Sequence, residues 1–441
     1  MANSATHHDH DDSGPERLHL GSFAGSLFRP AALVGGAGLL VALILGRIQD
    51  ADFSRFLFAY LVAFAFVLSL AVGALFFLLL QYLVKAGWSV SVRRIAEWMA
   101  SSMPIVGLMS LPLLYAVMVP HNGIPYRWTQ PGWGTSSETV QLKVEGAVKE
   151  EGISASKRAY LSPLPFASRV IGYFLIWSII AVYFARQSAL QDTTGDPKIT
   201  ARLQSLAAPA LVITALTVTL AAWDLIMSLD PTWSSTIFGV YYFAGSMVAF
   251  YAFTILTVIF LQSKGYLTRG ITVEHRHDLG KFLFAFVFFF GYIAFSQYML
   301  MWYANIPEET EWFLRRGVST EPGKQTGFTI FAFGILFGKV LIPFAGLLSR
   351  HVKRNPKFLA FWALWLLFFQ WIDMYWLITP ELYLGKDPSL GDLCGSIPLL
   401  LCATLGLLGI FIASVVRKAS HESLRPLHDP RMNEALAFHN I

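Results

Sequence analysis

Ten runs of roughly 20 apolar residues, separated by polar stretches, dominate the chain: residues 30–47, 55–82, 95–119, 166–186, 204–229, 235–262, 280–305, 327–349, 357–379 and 396–416. A helix rising ~1.5 Å per residue needs about that length to cross a ~30 Å hydrocarbon core, where backbone polar groups must be satisfied within the segment. The pattern therefore predicts an all-α polytopic membrane protein of about ten transmembrane helices. Residues 30–418 form the transmembrane domain, between a polar N-terminal tail, 1–29, and a C-terminal tail, 419–441. The first tail is His/Asp-rich, with no basic segment leading into a short apolar stretch and a small-residue cleavage site, so it does not resemble a cleaved signal peptide.

Composition supports a membrane solvent. Of 441 residues, 55% are hydrophobic and only 14% charged, little more than half the charge share of a typical soluble domain. Orientation follows from Lys and Arg, which resist translocation. The two tails and the connections after runs 2, 4, 6 and 8 hold 20 of the 33, against 12 on the other side. "RHVKRNPK", residues 350–357, has four basic residues and no acid, whereas "SLDPTWSST", 228–236, has no basic residue. Both termini are expected in the cytoplasm, and the long segment 120–165 outside, as a periplasmic docking loop. The net charge of +5 then reports topology, and no nucleic-acid signal is present.

Redox chemistry is restricted by what the spans lack. The 11 histidines stand at 7, 8, 10, 19, 121, 275, 277, 351, 421, 428 and 439, all in expected loops, tails or helix ends, and none well inside a span to hold a b-type haem. Cys394 and Cys402 are the two cysteines, too few for an iron–sulfur cluster, and no C-x-x-C-H is present for c-type haem. The "HHDHDD" tail is expected to be disordered, and "VEHRHD", with His275 and His277, to be a solvated loop. Phosphate-binding, G-x-S-x-G and H-E-x-x-H signatures are also absent, which argues against a self-contained enzyme and leaves no metal site.

What remains is a set of polar residues inside apolar runs. In "AAWDLIMSLDPTW", residues 221–233, Asp224 lies about five residues inside the fifth run. A charge there costs at least ~2.5 kcal/mol and normally faces a bundle interior. Asp230, just before Pro231, has the form of a helix N-cap followed by proline at the first helical position. "FFQWIDMYWLITPELY" repeats the arrangement, since Asp373 precedes Pro380 by seven residues as Asp224 precedes Pro231, each with a nearby tryptophan, Trp371 or Trp223. Runs 2 to 5 and 6 to 9, about 55–229 and 235–379, are therefore expected to form two four-helix bundles in parallel repeat, plus two extra helices. Lys339, near the middle of the eighth run, needs a partner such as Asp373 or Asp224, or a neutral state. Pro343, four residues on, should kink that helix. Two readings stand for this set: an ion pair that fixes packing, or a step in a proton path formed by Asp224, Lys339 and Asp373.

These residues also carry a family resemblance. "WDLIMSLDPTWSSTIFGVYYFAGS" and "EHRHDLGKFLFAFVFFFGYIAFSQYMLMWYANIPEETEWF" resemble the NrfD/PsrC-like membrane subunits of bacterial alternative complex III, and most resemble its ActF subunit, over most of residues 30–418 and specifically over 223–315. The resemblance implies ten helices in two four-helix bundles, in the inner membrane, within an assembly that oxidises quinol and passes electrons to cytochrome c or an oxidase. The implied partners are an ActC-type membrane subunit, an ActB-type iron–sulfur subunit, multihaem and monohaem cytochrome c subunits and small membrane subunits. Haem c and iron–sulfur clusters would then reside in partners, with this chain a structural and proton-conducting subunit. Trp223, Tyr241, Tyr242, Gln297 and Tyr298 are candidates to line a quinone or quinol site, against ordinary packing of abundant aromatic residues. A stand-alone ion-coupled transporter, with its site between the repeats, is the alternative.

Overall fold

The computed structural model describes residues 16–50, 52–119, 125–130, 155–319, 326–386 and 388–439. Among the described residues, ten helices are long and apolar enough to cross a membrane: α1 Ser22–Gln49, α2 Ser54–Leu83, α3 Val90–Met118, α4 Pro163–Thr194, α5 Pro197–Leu229, α6 Phe238–Ser263, α7 Val273–Ala304, α8 Thr329–Leu347, α9 Pro356–Tyr383 and α10 Leu390–Ala419. Among the described residues there is no strand. The chain is an all-α polytopic membrane protein.

Several helices start earlier than their apolar runs because polar caps extend them beyond the hydrocarbon. Asp196 accepts from the Lys198 amide ahead of Pro197 at the start of α5, and Ser389 with Asp392 forms a capping box on α10. Thr272 and His275 do the same for α7. His275 and His277 are consequently buried in the first turn of α7, not in a solvated loop, and His275 lies 5.4 Å from the Phe438 ring. Within spans, prolines set the irregularities. α3 breaks at Ser102 and Ser110, before Pro104 and Pro112, and both serine hydroxyls donate to carbonyls of the preceding turn. In α8 the gap created by Pro343 is met by π-helical winding over Ile335–Leu341, the form of irregularity that often marks a functional position.

Each four-helix set closes into a ring. α2 packs on α3 and α5, and α4 on both of those; α6 packs on α7 and α9, and α8 on both. The rings meet where α2 touches α6 and α9 and where α5 touches α6. Gly73 permits the α2–α6 approach, since a Cβ there would stand 2.5 Å from the Ser246 carbonyl oxygen. α2 is buried along almost its whole apolar length, and α1 hardly at all. α1 pairs with α10, and both rest on the α2 side of the molecule.

Both tails are folded where described, on one end of the molecule, the tail face. Glu16 accepts from the amides of Arg269 and Gly270 and from Arg425, and the Leu424 amide donates to the Leu18 carbonyl. The C-terminal segment is held by Arg93 on Asp429 at 2.5 Å and by Trp98 on Glu422 at 2.8 Å. Arg94, fully buried, bridges Glu97 and Asp192. The "HHDHDD" stretch and most of the proposed docking loop lie outside the described residues.

Candidate functional site

The second ring has an ion pair at its centre. Lys339 on α8 donates to Asp373 at 2.6 Å and to the Gln370 side-chain oxygen at 2.7 Å, both on α9. Its ammonium also stands 3.6 Å from the centre of the Phe290 ring of α7. Tyr241 of α6 donates to the other Asp373 oxygen at 2.5 Å, so all four helices of the ring contribute. Local sequence explains the convergence. Gln370 and Asp373 are three apart and share a helix face, and Lys339 lies within the π-helical turns. Gly245 leaves the space, because a Cβ there would be 2.9 Å from the Gln370 oxygen. Lys339 and Asp373 are both fully buried. Such a pair is stable only while both partners stay, since the medium cannot solvate either alone.

The first ring has its own pair in the corresponding helices. Arg169, on the third helix of that ring, makes a two-pronged contact with Asp224 on the fourth, both bonds 2.9 Å, and Tyr173 adds a third bond of 2.8 Å. Arg169 and Tyr173 are four apart and share a face. Asp224 is fully buried, whereas the Arg169 side chain is 22% exposed and also stacks on Tyr160 at 3.8 Å. In each ring a cation from the third helix therefore meets an aspartate from the fourth, backed by a tyrosine. The pairs differ in access, the first reaching the molecular edge and the second enclosed.

Above the two pairs, on the face opposite the tails, a third charged cluster joins the rings. Asp230 does not cap a helix, since α6 begins only at Phe238. One of its oxygens accepts from the Thr232 amide and hydroxyl, an Asx turn, and the other takes Arg315. Arg315 also reaches Glu381, which binds Arg316 at 3.1 Å and Arg127 at 3.5 Å. Burial pulls Arg316 down to about 10, against the opposing pull of Glu381. Burial would raise Asp230, but Arg315, Thr232 and Arg316 together hold it below its usual value. Arg316 lies over Trp312 at 3.7 Å, and Trp312 stacks on Trp233 at 4.2 Å.

No family model matches the chain, and no curated protein matches it in sequence.

Of the sequence-derived proton-path candidates, Lys339 and Asp373 are brought together and Asp224 is separate, with Arg169 as its partner. The quinone candidates disperse. Tyr241 belongs to the Asp373 site, while Tyr242 donates to the Ala65 carbonyl on α2 at 2.8 Å and borders a cavity of about 10 Å³, one water at most. Trp223 is half-buried on α5, Gln297 is buried on α7, and Tyr298 meets the edge of Phe313. Sequence reasoning passed over Arg169, Tyr173, Gln370 and the Arg315–Glu381 cluster. Helical spacing could have shown the first three, because Arg169/Tyr173 and Gln370/Asp373 are one-turn polar pairs on otherwise apolar helices.

Proposed function

We propose that this chain is a membrane subunit, without a redox centre of its own, of a quinol-oxidising respiratory complex of the alternative complex III type. On this reading it sits in the bacterial inner membrane with both termini in the cytoplasm, and supports electron transfer from quinol to an acceptor through haem and iron–sulfur partners. Its own chemistry is proton handling, by Asp224 and by the Lys339–Asp373 pair. The observation that carries the reading is the recurrence, in both rings, of a cation from the third helix paired with a fully buried aspartate from the fourth, with a tyrosine bonded to that aspartate. A buried charge is expensive in hydrocarbon and is normally retained for a task. Two such sites, matched in helix order, favour a duplicated conducting scaffold over a chance packing contact.

Affinity purification of the tagged chain from mild detergent tests this. Haem c and iron–sulfur proteins should co-elute with it and carry quinol oxidation, while the chain stripped of partners should show no Soret band. Elution as a lone protein that transports an ion or solute after reconstitution would overturn the proposal in favour of a transporter.

A further inference from the structure

The close contact between α1 and α10 opens at the tail face into a groove. Mid-membrane the helices touch backbone to backbone: a Cβ on Gly35 would lie 2.8 Å from the Ile410 nitrogen, and one on Gly38 2.8 Å from the Gly406 nitrogen. Nearer the tail face this fit ends. No atom lies within 4 Å of a Cβ placed on Gly21 or Gly25, and a cavity of about 300 Å³ occupies the space. α1 and the residue that precedes it contribute Gly21, Ala24, Gly25 and Phe28 to its walls, and the end of α10 with the turn after it contributes Arg417 and His421.

The charge of this groove is one-sided. Arg417 and His421, about one helical turn apart, are both exposed. Arg29 follows Gly25 by four residues and so shares its helix face. Its side chain is exposed. Residues 17–49 and 393–421 contain no Asp or Glu. The flanking acids are engaged elsewhere, Glu16 by Arg425 at 2.8 Å and Glu422 by Trp98 at 2.8 Å. Below Arg417 and His421 the walls are formed by Ala24, Phe28 and Val416, and the α1 surface continues as exposed Leu33, Leu40 and Ile44.

We propose that this groove binds an anionic phospholipid, with its phosphate against Arg417 and His421 and the start of its acyl chains against Ala24 and Phe28. A guanidinium beside an imidazole at a helix end, an apolar floor and an open flank toward the hydrocarbon match a charged headgroup with attached chains. A free anion would use only the first of these. Basic pockets between spanning helices at a membrane face recognise headgroups in this way.

The test uses full-length protein purified in detergent and titrated with phosphatidylglycerol, with phosphatidylcholine of the same chains, and with inorganic phosphate. Native mass spectrometry counts bound lipid, and thermal melting reads stabilisation. Phosphatidylglycerol should bind in preference to phosphatidylcholine and raise the melting temperature. Arg417→Gln combined with His421→Gln should weaken that binding roughly tenfold. Gly25→Leu, whose side chain enters open space, should block the lipid without lowering the lipid-free melting temperature. Arg202→Gln, which removes an exposed cation at the start of α5, should leave binding unchanged. Equal binding of the two lipids would overturn the proposal, as would full binding to Gly25→Leu or an equal loss in Arg202→Gln. Stabilisation by inorganic phosphate equal to that by phosphatidylglycerol would also overturn it, since the site would then be for an anion and not a lipid. If Gly25→Leu does not fold, the paired glutamine variant decides.

Discussion

Asp373 and Asp224 are equally buried, yet their losses should differ because their cations differ. Lys339 is enclosed with Asp373, so Asp373→Asn strands an ammonium in the ring centre at a cost of about 3–5 kcal/mol. Arg169 reaches the molecular edge and keeps the Tyr160 carbonyl and ring as partners, so Asp224→Asn should cost about 1.5–3 kcal/mol, the worth of hydrogen bonds to a charged group. Thermal melts of the purified variants should place Asp373→Asn below Asp224→Asn; the opposite order would mean that Arg169 is the more confined cation. Removing both partners, Lys339→Met with Asp373→Leu, should restore much of the stability lost in Asp373→Asn. If Asp224 handles protons, its asparagine variant should assemble and lose quinol-linked proton release. Asp230 has a different signature. Its depressed pKa means that its contribution to stability is present above the ordinary carboxylate pKa of about 4 and is lost as pH falls through the folded value. A melting curve taken against pH should therefore drop on the acid side of about pH 4 in the wild type, and Asp230→Asn, already without the Arg315 pair, should flatten that drop.

At the scale of elements, the α1–α10 pair depends on glycine where backbones touch. Gly38→Val would drive a branched side chain into the Gly406 nitrogen and the Cys402 carbonyl, 2.8 and 2.9 Å from the new Cβ, and backbone atoms cannot rotate away. Gly36, two residues earlier, faces open space. Gly38→Val should lower the melting temperature or release α1, detected as new protease sensitivity near Gln49, while Gly36→Val should match the wild type. Equal behaviour of the two would show that α1 is held by lipid rather than by α10. The π-helical stretch in α8 is governed by Pro343 in the same local way. A missing amide donor is accommodated by looser winding, and Lys339 falls within it.

In the whole molecule, two closed rings share α2 and α6 as their common wall, and both tails fasten the same face. Residues far apart in the chain meet there: Glu16 with Arg425, and Arg93 with Asp429. The distribution of Lys and Arg leads to the expectation that this face is cytoplasmic. A reporter enzyme fused after Ile441 should then be active in its cytoplasmic form, and one inserted near Ser136 in its periplasmic form. The reverse result would invert the molecule and put the Arg315–Glu381 cluster, on the face opposite the tails, in the cytoplasm.

The ten spans and the all-α class were legible in the sequence because hydrocarbon imposes a local rule. Each segment must satisfy its own backbone within four residues, so length and apolarity suffice. The polar exceptions, Asp224, Lys339 and Asp373, were visible for the same reason: they break the rule at a cost. Their partners were decided only in three dimensions. Whether Lys339 meets Asp373 or Asp224, and that Arg169 rather than Lys339 holds Asp224, depends on ring order and helix rotation, which no local pattern encodes. Asp230 beside Pro231 had the local form of a helix start, but Arg315, 85 residues away, drew it into a salt bridge, and α6 began seven residues later. Local backbone bonding is written along the chain, whereas contacts between helices arise from the packing of surfaces that the chain brings together only once folded.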